Sequence, residues 1–129
     1  MTGTAVPRRV LVAEDEPNIV ISLEFLLSGA GHEVAIARNG PEALDLAGRL
    51  RPDLVVLDVM LPMVDGFEVC RRLRAHPATQ GTRILMLTAR GRQSEIDKGM
   101  AAGADAYMTK PFATKELLET VAGMLERPA

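Results

Sequence analysis

Acidic, hydroxyl and basic side chains follow the ends of short apolar segments along the chain. They are Glu14 and Asp15 after the first segment, Asp58 at the third, Thr88 at the fourth and Lys110 after the fifth. Three carboxylates brought to one place repel one another and raise the pKa of at least one carboxyl, unless a cation lies between them. Mg²⁺ prefers oxygen ligands and is often held by one or two carboxylates together with a phosphate. These residue types therefore favour magnesium-dependent phosphate chemistry, provided that the fold brings them together.

Each of these residues, taken alone, also has an ordinary structural interpretation. Glu14 and Asp15 precede an expected helix, where acidic side chains interact favourably with the positive end of the helix dipole. Asp58 could cap a loop, although a carboxylate that closes a buried strand is costly without a partner. Thr88 is typical of a helix cap or strand end, and Lys110 of a protein surface. The chemical hypothesis therefore depends on the joint pattern.

Short apolar strands alternate with helical patterns five times along the chain. The strands are expected at residues 10–13, 33–37, 54–58, 84–88 and 106–108. Helices are expected to begin near Pro17, Pro41 and Gly66, and to cover residues 94–102 and 114–126. This alternation predicts an α/β fold, with a parallel sheet covered by helices on both faces. Polar residues at the carboxyl ends of such strands meet in one crevice.

The helical spacing also predicts which side chains face the core. In the first helix these are Ile19, Leu23, Leu26 and Ala30. Cys70 of the third helix is expected in the core, whereas the run Arg71-Arg72-Leu73-Arg74 is expected to form a solvated face. The fourth helix is expected to be weak, because Gly99 and Gly103 each cost about 1 kcal/mol relative to alanine.

The length and composition of the chain limit the classes of protein it can belong to. Its 129 residues are enough for one compact domain. The net charge of −2 offers no basic face, so we expect no direct contact with nucleic acid. No stretch reaches the roughly 20 apolar residues of a membrane span, and no signal peptide is recognised. We therefore expect a cytoplasmic protein that does not contact a membrane.

Several segments resemble the receiver domains of response regulators in two-component signal transduction. They are residues 10–16, 57–62 with 65–66, 87–89, and 103–107 running into 110–112. The resemblance covers residues 9–126, which we take as the receiver domain, with 1–8 as a flexible N-terminal segment and 127–129 as a C-terminal tail. It implies a five-stranded parallel sheet in the flavodoxin-like order 2-1-3-4-5, built as (βα)5 like the chemotaxis regulators.

The resemblance also implies a role for each polar residue. Asp58 would be the phosphoacceptor, with its oxygen attacking phosphorus. Lys110 would pair with Asp58 and then with a phosphoryl oxygen, while Thr88 would donate its hydroxyl to another one. The Lys110–Pro111 peptide would be cis. Mg²⁺ would be held by Asp15, Asp58, the backbone carbonyl of Met60 and, directly or through water, Glu14.

The function implied is that of a signalling switch, which catalyses only its own phosphoryl transfer and autodephosphorylation. A histidine kinase or histidine phosphotransferase would donate the phosphoryl group and contact the first helix at residues 18–22. Thr88 would then move toward the phosphoryl group, and Tyr107 would turn inward. The surface of the fourth helix, fifth strand and fifth helix would shift to control a downstream protein or a missing output domain. This surface carries Lys98, Ala102, Tyr107 and Lys115.

Three positions depart from the DNA-binding regulators that dimerise through this surface. Ile96 stands where those proteins tend to carry a basic residue, Ala106 replaces the second of two aspartates, and Glu119 replaces an arginine. Their ion pairs across the dimer look broken here, so we expect a monomer or a weak homodimer. We favour a stand-alone regulator that acts through protein contacts; the alternative is a piece of a longer regulator. Met60 and Arg90 occupy positions that tune phosphoryl lifetime in the family.

Three other functions remain open at this point. Phosphatases of the haloacid dehalogenase type use a similar aspartate and Mg²⁺, but they need a second aspartate where this chain has Met60. A flavin-binding domain of the same topology needs a phosphate-cradling loop after the first strand, where Glu14-Asp15-Glu16 would repel phosphate. A degenerate receiver that binds partners without phosphorylation is opposed by the intact set of Asp15, Asp58, Thr88 and Lys110.

Overall fold

The computed structural model describes residues 8–89 and 92–126, and within them five strands alternate with five helices. The strands are β1 (Arg9–Ala13), β2 (Glu33–Ala37), β3 (Leu54–Asp58), β4 (Arg83–Ala89) and β5 (Ala106–Lys110). The helices are α1 (Pro17–Gly29), α2 (Gly40–Leu50), α3 (Gly66–Ala75), α4 (Gln93–Ala102) and α5 (Thr114–Glu126). Arg90 lies outside the described residues, as do residues 1–7 and the tail after residue 126.

The strands form one parallel sheet in the order β2-β1-β3-β4-β5. This confirms the predicted α/β fold and strand order. Because all five strands run in the same direction, their carboxyl ends meet at one edge of the sheet. The register there places Asp58 opposite Leu87, and Ala89 opposite Lys110. The ends of β3, β4 and β5 therefore bring the predicted polar residues to one edge.

Two apolar layers cover the sheet, one on each face. The first lies beneath α2, α3 and α4, and the second beneath α1 and α5. Successive residues of β1 and β3 alternate between the two layers, with Leu11 in the first and Val10 and Val12 in the second. Burial on both faces explains why the sequences of these strands are continuous runs of apolar residues. None of the helices in the described ranges is long and apolar enough to cross a membrane.

The buried stripe of α1 differs in part from the predicted one. Leu23 is buried as expected, but its buried companions are Val20 and Leu27. Ile19 and Leu26 are only half-buried and pack at the edge of the core, so they flank the stripe. The prediction for Ala30 was wrong: it is exposed, because the helix ends at Gly29 and Ala30 is its C-cap residue.

The last strand is longer than the sequence pattern indicated. It was expected to stop at Met108 with Lys110 just beyond it, but Lys110 is its final residue. Backbone pairing with β4 extends over Thr109 and Lys110, which lie opposite Thr88 and Ala89. Thr109 and Lys110 are polar, so a prediction based on apolar runs could not include them in the strand.

The prediction that the run of residues 71–74 forms a solvated face is wrong for Arg74. Its guanidinium donates to the backbone carbonyls of Gln80, Thr82 and Gly103 and to the carboxylate of Asp105. The other two arginines of the run are half-exposed and pair with one glutamate of the same helix, as a solvated face requires. Arg74 instead joins α3 to the loops before β4 and β5.

Candidate functional site

Three carboxylates converge at the carboxyl edge of the sheet. Glu14 and Asp15 directly follow β1, and Asp58 is the last residue of β3. One carboxylate oxygen from each residue lies within 4.8 Å of the other two. Glu14 and Asp58 are buried, whereas Asp15 is exposed at the mouth of the cleft. Oxygen ligands at this spacing, open to solvent on one side, suit a hard divalent cation that keeps several waters.

Lys110 reaches this acidic cluster from the end of β5. Its Nζ donates to Asp58 Oδ1 at 3.2 Å and to Glu14 Oε1 at 3.3 Å. Burial lowers the pKa of Lys110, but the carboxylates of Asp58 and Glu14 outweigh it and raise the pKa above its ordinary value. Lys110 therefore remains an ammonium cation at neutral pH and offsets part of the negative charge in the cleft.

Glu14 is fully buried and held in one position. Its Oε2 accepts the backbone N–H groups of Asp15 and Glu16, each at 3.1 Å. Burial raises the pKa of Glu14, and the nearby charge of Asp58 raises it further, against the opposing effects of the Glu16 N–H and Lys110. The sequence-based expectation that crowded carboxylates raise at least one pKa thus accounts for only part of this effect, because burial is the largest cause. A cation in the cleft would relieve the same repulsion.

The carboxylate of Asp58 is fixed by two donors. Besides Lys110, the backbone N–H of Met60 donates to Asp58 Oδ1 at 3.2 Å. The chain then turns tightly into α3, since Gly66 N–H donates to the Val59 carbonyl at 2.9 Å. A Cβ atom on Gly66 would lie 2.4 Å from the backbone oxygen of Asp58, so only glycine fits. The start of α3 is therefore packed directly against the backbone of Asp58.

Thr88 presents a buried hydroxyl at the end of β4. Within the described residues its Oγ1 has no hydrogen-bond partner. A buried hydroxyl without a partner costs free energy, so native proteins rarely leave one unless another group supplies the partner. Thr88 pairs with Thr109, the neighbour of Lys110, and so lies on the same edge as the acidic cluster. Its hydroxyl is available to an oxygen-rich group bound there.

Two further predictions concern β5 and the peptide that follows it. The Lys110–Pro111 bond is cis, as expected. Tyr107 is 48% exposed, so its side chain lies at the protein surface in this structure. An inward position for Tyr107 therefore requires a different arrangement of the molecule.

The sequence did not indicate a groove beside α1, although it named part of its lining. Three residues of α1 face the loop after β5 across an apolar groove of about 470 Å³, and they are Asn18, Ile19 and Ser22. The opposite wall is formed by Lys110, Pro111 and Phe112. Lys110, whose ammonium group contacts Asp58, is thus one of the residues that line the groove. Pro111 and Phe112 are separated from α1 by most of the chain, so no local pattern joins the two walls.

Residues 10–122 match the model of the response regulator receiver domain. The chain belongs to this family. The receiver domain is 48% identical over 120 residues to the phosphate regulon transcriptional regulatory protein PhoB of Rhizobium meliloti, covering 92% of this chain and 52% of PhoB. It is 49% identical over 121 residues to the response regulator MprA of Mycobacterium sp. strain KMS, covering 94% and 52%. The chain thus spans about half the length of these curated relatives.

A solved structure shares both the fold and the sequence pattern of the receiver domain. It is the receiver domain of the sensor histidine kinase PA1611 from Pseudomonas aeruginosa, with a magnesium ion coordinated in its active site cleft. The two proteins are 29% identical with a TM-score of 0.88, over 95% of this chain and 100% of the other. Membership of the receiver family implies phosphorylation on an aspartate and use of Mg²⁺.

Proposed function

We propose that Asp58 accepts the phosphoryl group in this receiver domain. The observation that carries the proposal is the environment of its carboxylate. Asp58 is buried at the end of β3, touches Lys110 Nζ at 3.2 Å and lies beside the carboxylates of Glu14 and Asp15. Phosphoryl transfer needs a positioned nucleophile and positive charge around it more than it needs covalent help from the protein.

The acidic cluster fits the Mg²⁺ that the family uses. Asp15 and Asp58 would be carboxylate ligands, the Met60 backbone carbonyl a third, and Glu14 a ligand directly or through water. One carboxylate oxygen of each of Glu14, Asp15 and Asp58 lies within 4.8 Å of the other two, which supports a cation as the group that balances their charge. When bound, Mg²⁺ supplies Lewis-acid stabilisation of the phosphoryl oxygens.

Two side chains are placed to hold the transferred phosphoryl group. Lys110 shares its ammonium between Asp58 and Glu14, and it would turn toward a phosphoryl oxygen once Asp58 has become an acyl phosphate. Thr88 offers an unpartnered hydroxyl to a second oxygen. The phosphoryl group adds a charge of about −1.5 to −2 and strong acceptors, so Thr88 gains the partner that it lacks and Lys110 gains an additional anionic one.

Switching follows from the movement of Thr88. We propose that Thr88 moves toward the phosphoryl group, that Tyr107 leaves the surface, and that the α4-β5-α5 surface shifts between two arrangements. We also propose a monomer or weak homodimer, because the exposed Glu119 of α5 stands where regulators that dimerise through this surface carry an arginine. Its output would be a downstream protein or an attached domain.

The phosphoryl donor would be a histidine kinase or phosphotransferase that docks on α1. The groove between α1 and the β5–α5 loop lies beside Lys110, and Ile21 and Phe25 of α1 are exposed apolar residues. A donor helix seated there would bring its phosphohistidine next to Asp58. Replacing Ser22 by arginine should therefore slow transfer from a histidine phosphotransferase while leaving transfer from acetyl phosphate unchanged. If the variant accepts the phosphoryl group from the phosphotransferase as fast as the wild type does, the result would contradict this docking site.

The assignment of Asp58 is tested by intact mass after incubation with acetyl phosphate, with and without Mg²⁺. The wild type should gain one phosphoryl group only when Mg²⁺ is present, and Asp58→Asn should gain none. Asp45→Asn is the matched control, because Asp45 is an exposed aspartate paired with Arg49 on α2. A phosphoryl gain that persists in Asp58→Asn would contradict the proposal.

A further inference from the structure

Helix α4 is weakly attached to the rest of the molecule. Only Gly99 and Ala102 of this helix are buried, and its N-cap residue, Arg92, makes no capping hydrogen bond with its side chain. The C-terminal end of α4 is joined to α3 by Cys70 Sγ, which donates to the Ala102 carbonyl at 3.4 Å, and by Arg74, which donates to the carbonyl of the C-cap residue Gly103. Nearer the middle of α4, the Nζ of Lys98 lies 4.8 Å from the centroid of the Phe67 ring of α3. A cation over an aromatic face at this distance is attracted by the ring quadrupole.

Phe67 is also connected to the phosphoacceptor. It follows Gly66, whose Cα packs so closely on the Asp58 backbone that an added Cβ would lie 2.4 Å from the Asp58 carbonyl oxygen. Phe67 itself is buried, and its Cε1 lies 3.8 Å from the position of a Cβ on Gly99. Gly66 and Phe67 therefore form a continuous packed connection from the Asp58 peptide to α4. Because protein interiors are close-packed, a shift of this peptide is transmitted along it.

We propose that Lys98 is a positioning residue that holds α4 against α3 in the unphosphorylated arrangement, through the ring of Phe67. This inference rests on the proposed function, since it takes Asp58 as the phosphoacceptor. It adds a connection between Asp58 and α4 that runs through α3 and does not use Thr88 or Tyr107. Phosphorylation displaces the start of α3, weakens the contact between Lys98 and Phe67, and releases α4.

A contact that exists only in the unphosphorylated arrangement opposes the binding of a phosphoryl analogue. Its loss must tighten that binding by the factor by which the contact stabilised the resting arrangement. For an exposed lysine over an aromatic ring this factor is about two- to fivefold. Lys98 is exposed and lies outside the cleft, so its replacement leaves the Asp58 site itself intact.

The test is a beryllofluoride titration in the presence of Mg²⁺, followed by the fluorescence of Tyr107, the one tyrosine in a chain without tryptophan. Lys98→Gln should lower the midpoint about two- to fivefold. Lys98→Arg retains a cation for the ring and should keep the wild-type midpoint. Arg49→Gln removes the same charge from an exposed position on α2, outside the α4-β5-α5 surface, and should also leave the midpoint unchanged.

A second pair of variants separates this contact from a general loosening of the fold. Phe67→Leu keeps an apolar side chain but removes the ring, so it should shift the midpoint in the same direction. The double variant Phe67→Leu with Lys98→Gln should show no further shift beyond Phe67→Leu. An unshifted midpoint in Lys98→Gln, an equal shift in Arg49→Gln, or additive shifts in the double variant would each overturn the proposal. A wild type that does not bind beryllofluoride would instead refute the phosphoacceptor site, and this inference with it.

Discussion

At the scale of single residues, Lys110 balances the charge of the cleft. Its ammonium contacts both Asp58 and Glu14, which are the two buried carboxylates of the acidic cluster. The same positive charge opposes the approach of another cation to these carboxylates. We therefore expect Lys110 to hold Asp58 in place and to weaken the binding of Mg²⁺.

Removing this charge should strengthen the binding of Mg²⁺. We expect Lys110→Gln to bind Mg²⁺ on the order of tenfold more tightly, because the ammonium that contacts Asp58 and Glu14 no longer repels the ion. Isothermal titration calorimetry measures this affinity directly. Lys115→Gln is the control for the loss of an exposed charge and should match the wild type. Unchanged or weaker binding in Lys110→Gln would show that Lys110 does not compete with the metal.

Most of the candidate site was predictable at this scale from the sequence. Asp58, Thr88 and the pair Glu14-Asp15 each interrupt or follow an apolar run, and a parallel sheet brings such positions together. The sequence could not show that Glu14 is completely buried with both oxygens hydrogen-bonded, because its partner Lys110 lies 96 residues further along the chain.

At the scale of elements, the connection from β3 to α3 packs closely against the backbone of Asp58. Asp65 caps α3 by accepting the N–H of Glu68 at 2.9 Å, and Gly66 begins the helix against the backbone of Asp58. The position of α3 is thereby fixed by the residue proposed to carry the phosphoryl group. Glycine is therefore required at position 66 because there is no space for a Cβ atom, and not because the backbone needs an unusual φ.

An alanine at position 66 should destabilise the protein. Its Cβ would meet backbone atoms that cannot rotate away, and overpacking of this kind costs about 1–3 kcal/mol. Gly48→Ala is the matched control: a Cβ there meets nothing within 4 Å, and α2 should gain about 1 kcal/mol. Urea denaturation followed by circular dichroism measures both changes. Equal stability of the two variants would contradict the close packing at Gly66.

Element boundaries show where sequence patterns stop being informative. The order and type of the elements were predictable because both faces of the sheet are covered, which gives continuous apolar strands. The end of β5 was missed because its last two residues pair through the backbone while carrying polar side chains. The contact between Lys98 and Phe67 was missed because it joins two helices whose spacing depends on tertiary packing.

At the scale of the whole molecule, Arg74 joins parts of the chain that are far apart in sequence. It connects α3 to the loop before β4 and to the turn before β5, where Asp105 also accepts the backbone N–H of Ile84 at 2.8 Å. These contacts fix the entry into β5, at the opposite end of the strand from Lys110. The sequence offered only an arginine within a charged run, so its position could not be predicted from local spacing.

Replacing Arg74 should cost more stability than replacing its neighbour. We expect Arg74→Met to lose about 2–3 kcal/mol, because it leaves backbone carbonyls and Asp105 without their donor. Arg72→Met removes an exposed ion pair from the same helix and should change stability by less than about 0.5 kcal/mol. Urea unfolding midpoints compare the two variants. A loss in Arg74→Met no larger than in Arg72→Met would contradict the role of Arg74 as a tertiary link.

The central claim is that Asp58 carries the phosphoryl group, and the most direct test locates the acyl phosphate along the chain. The protein is treated with acetyl phosphate and Mg²⁺, reduced with borohydride to convert an aspartyl phosphate to homoserine, digested, and mapped by peptide mass spectrometry. Homoserine at position 58, and at neither Asp15 nor Asp65, is the expected result. Homoserine at another aspartate with position 58 unchanged would contradict the account.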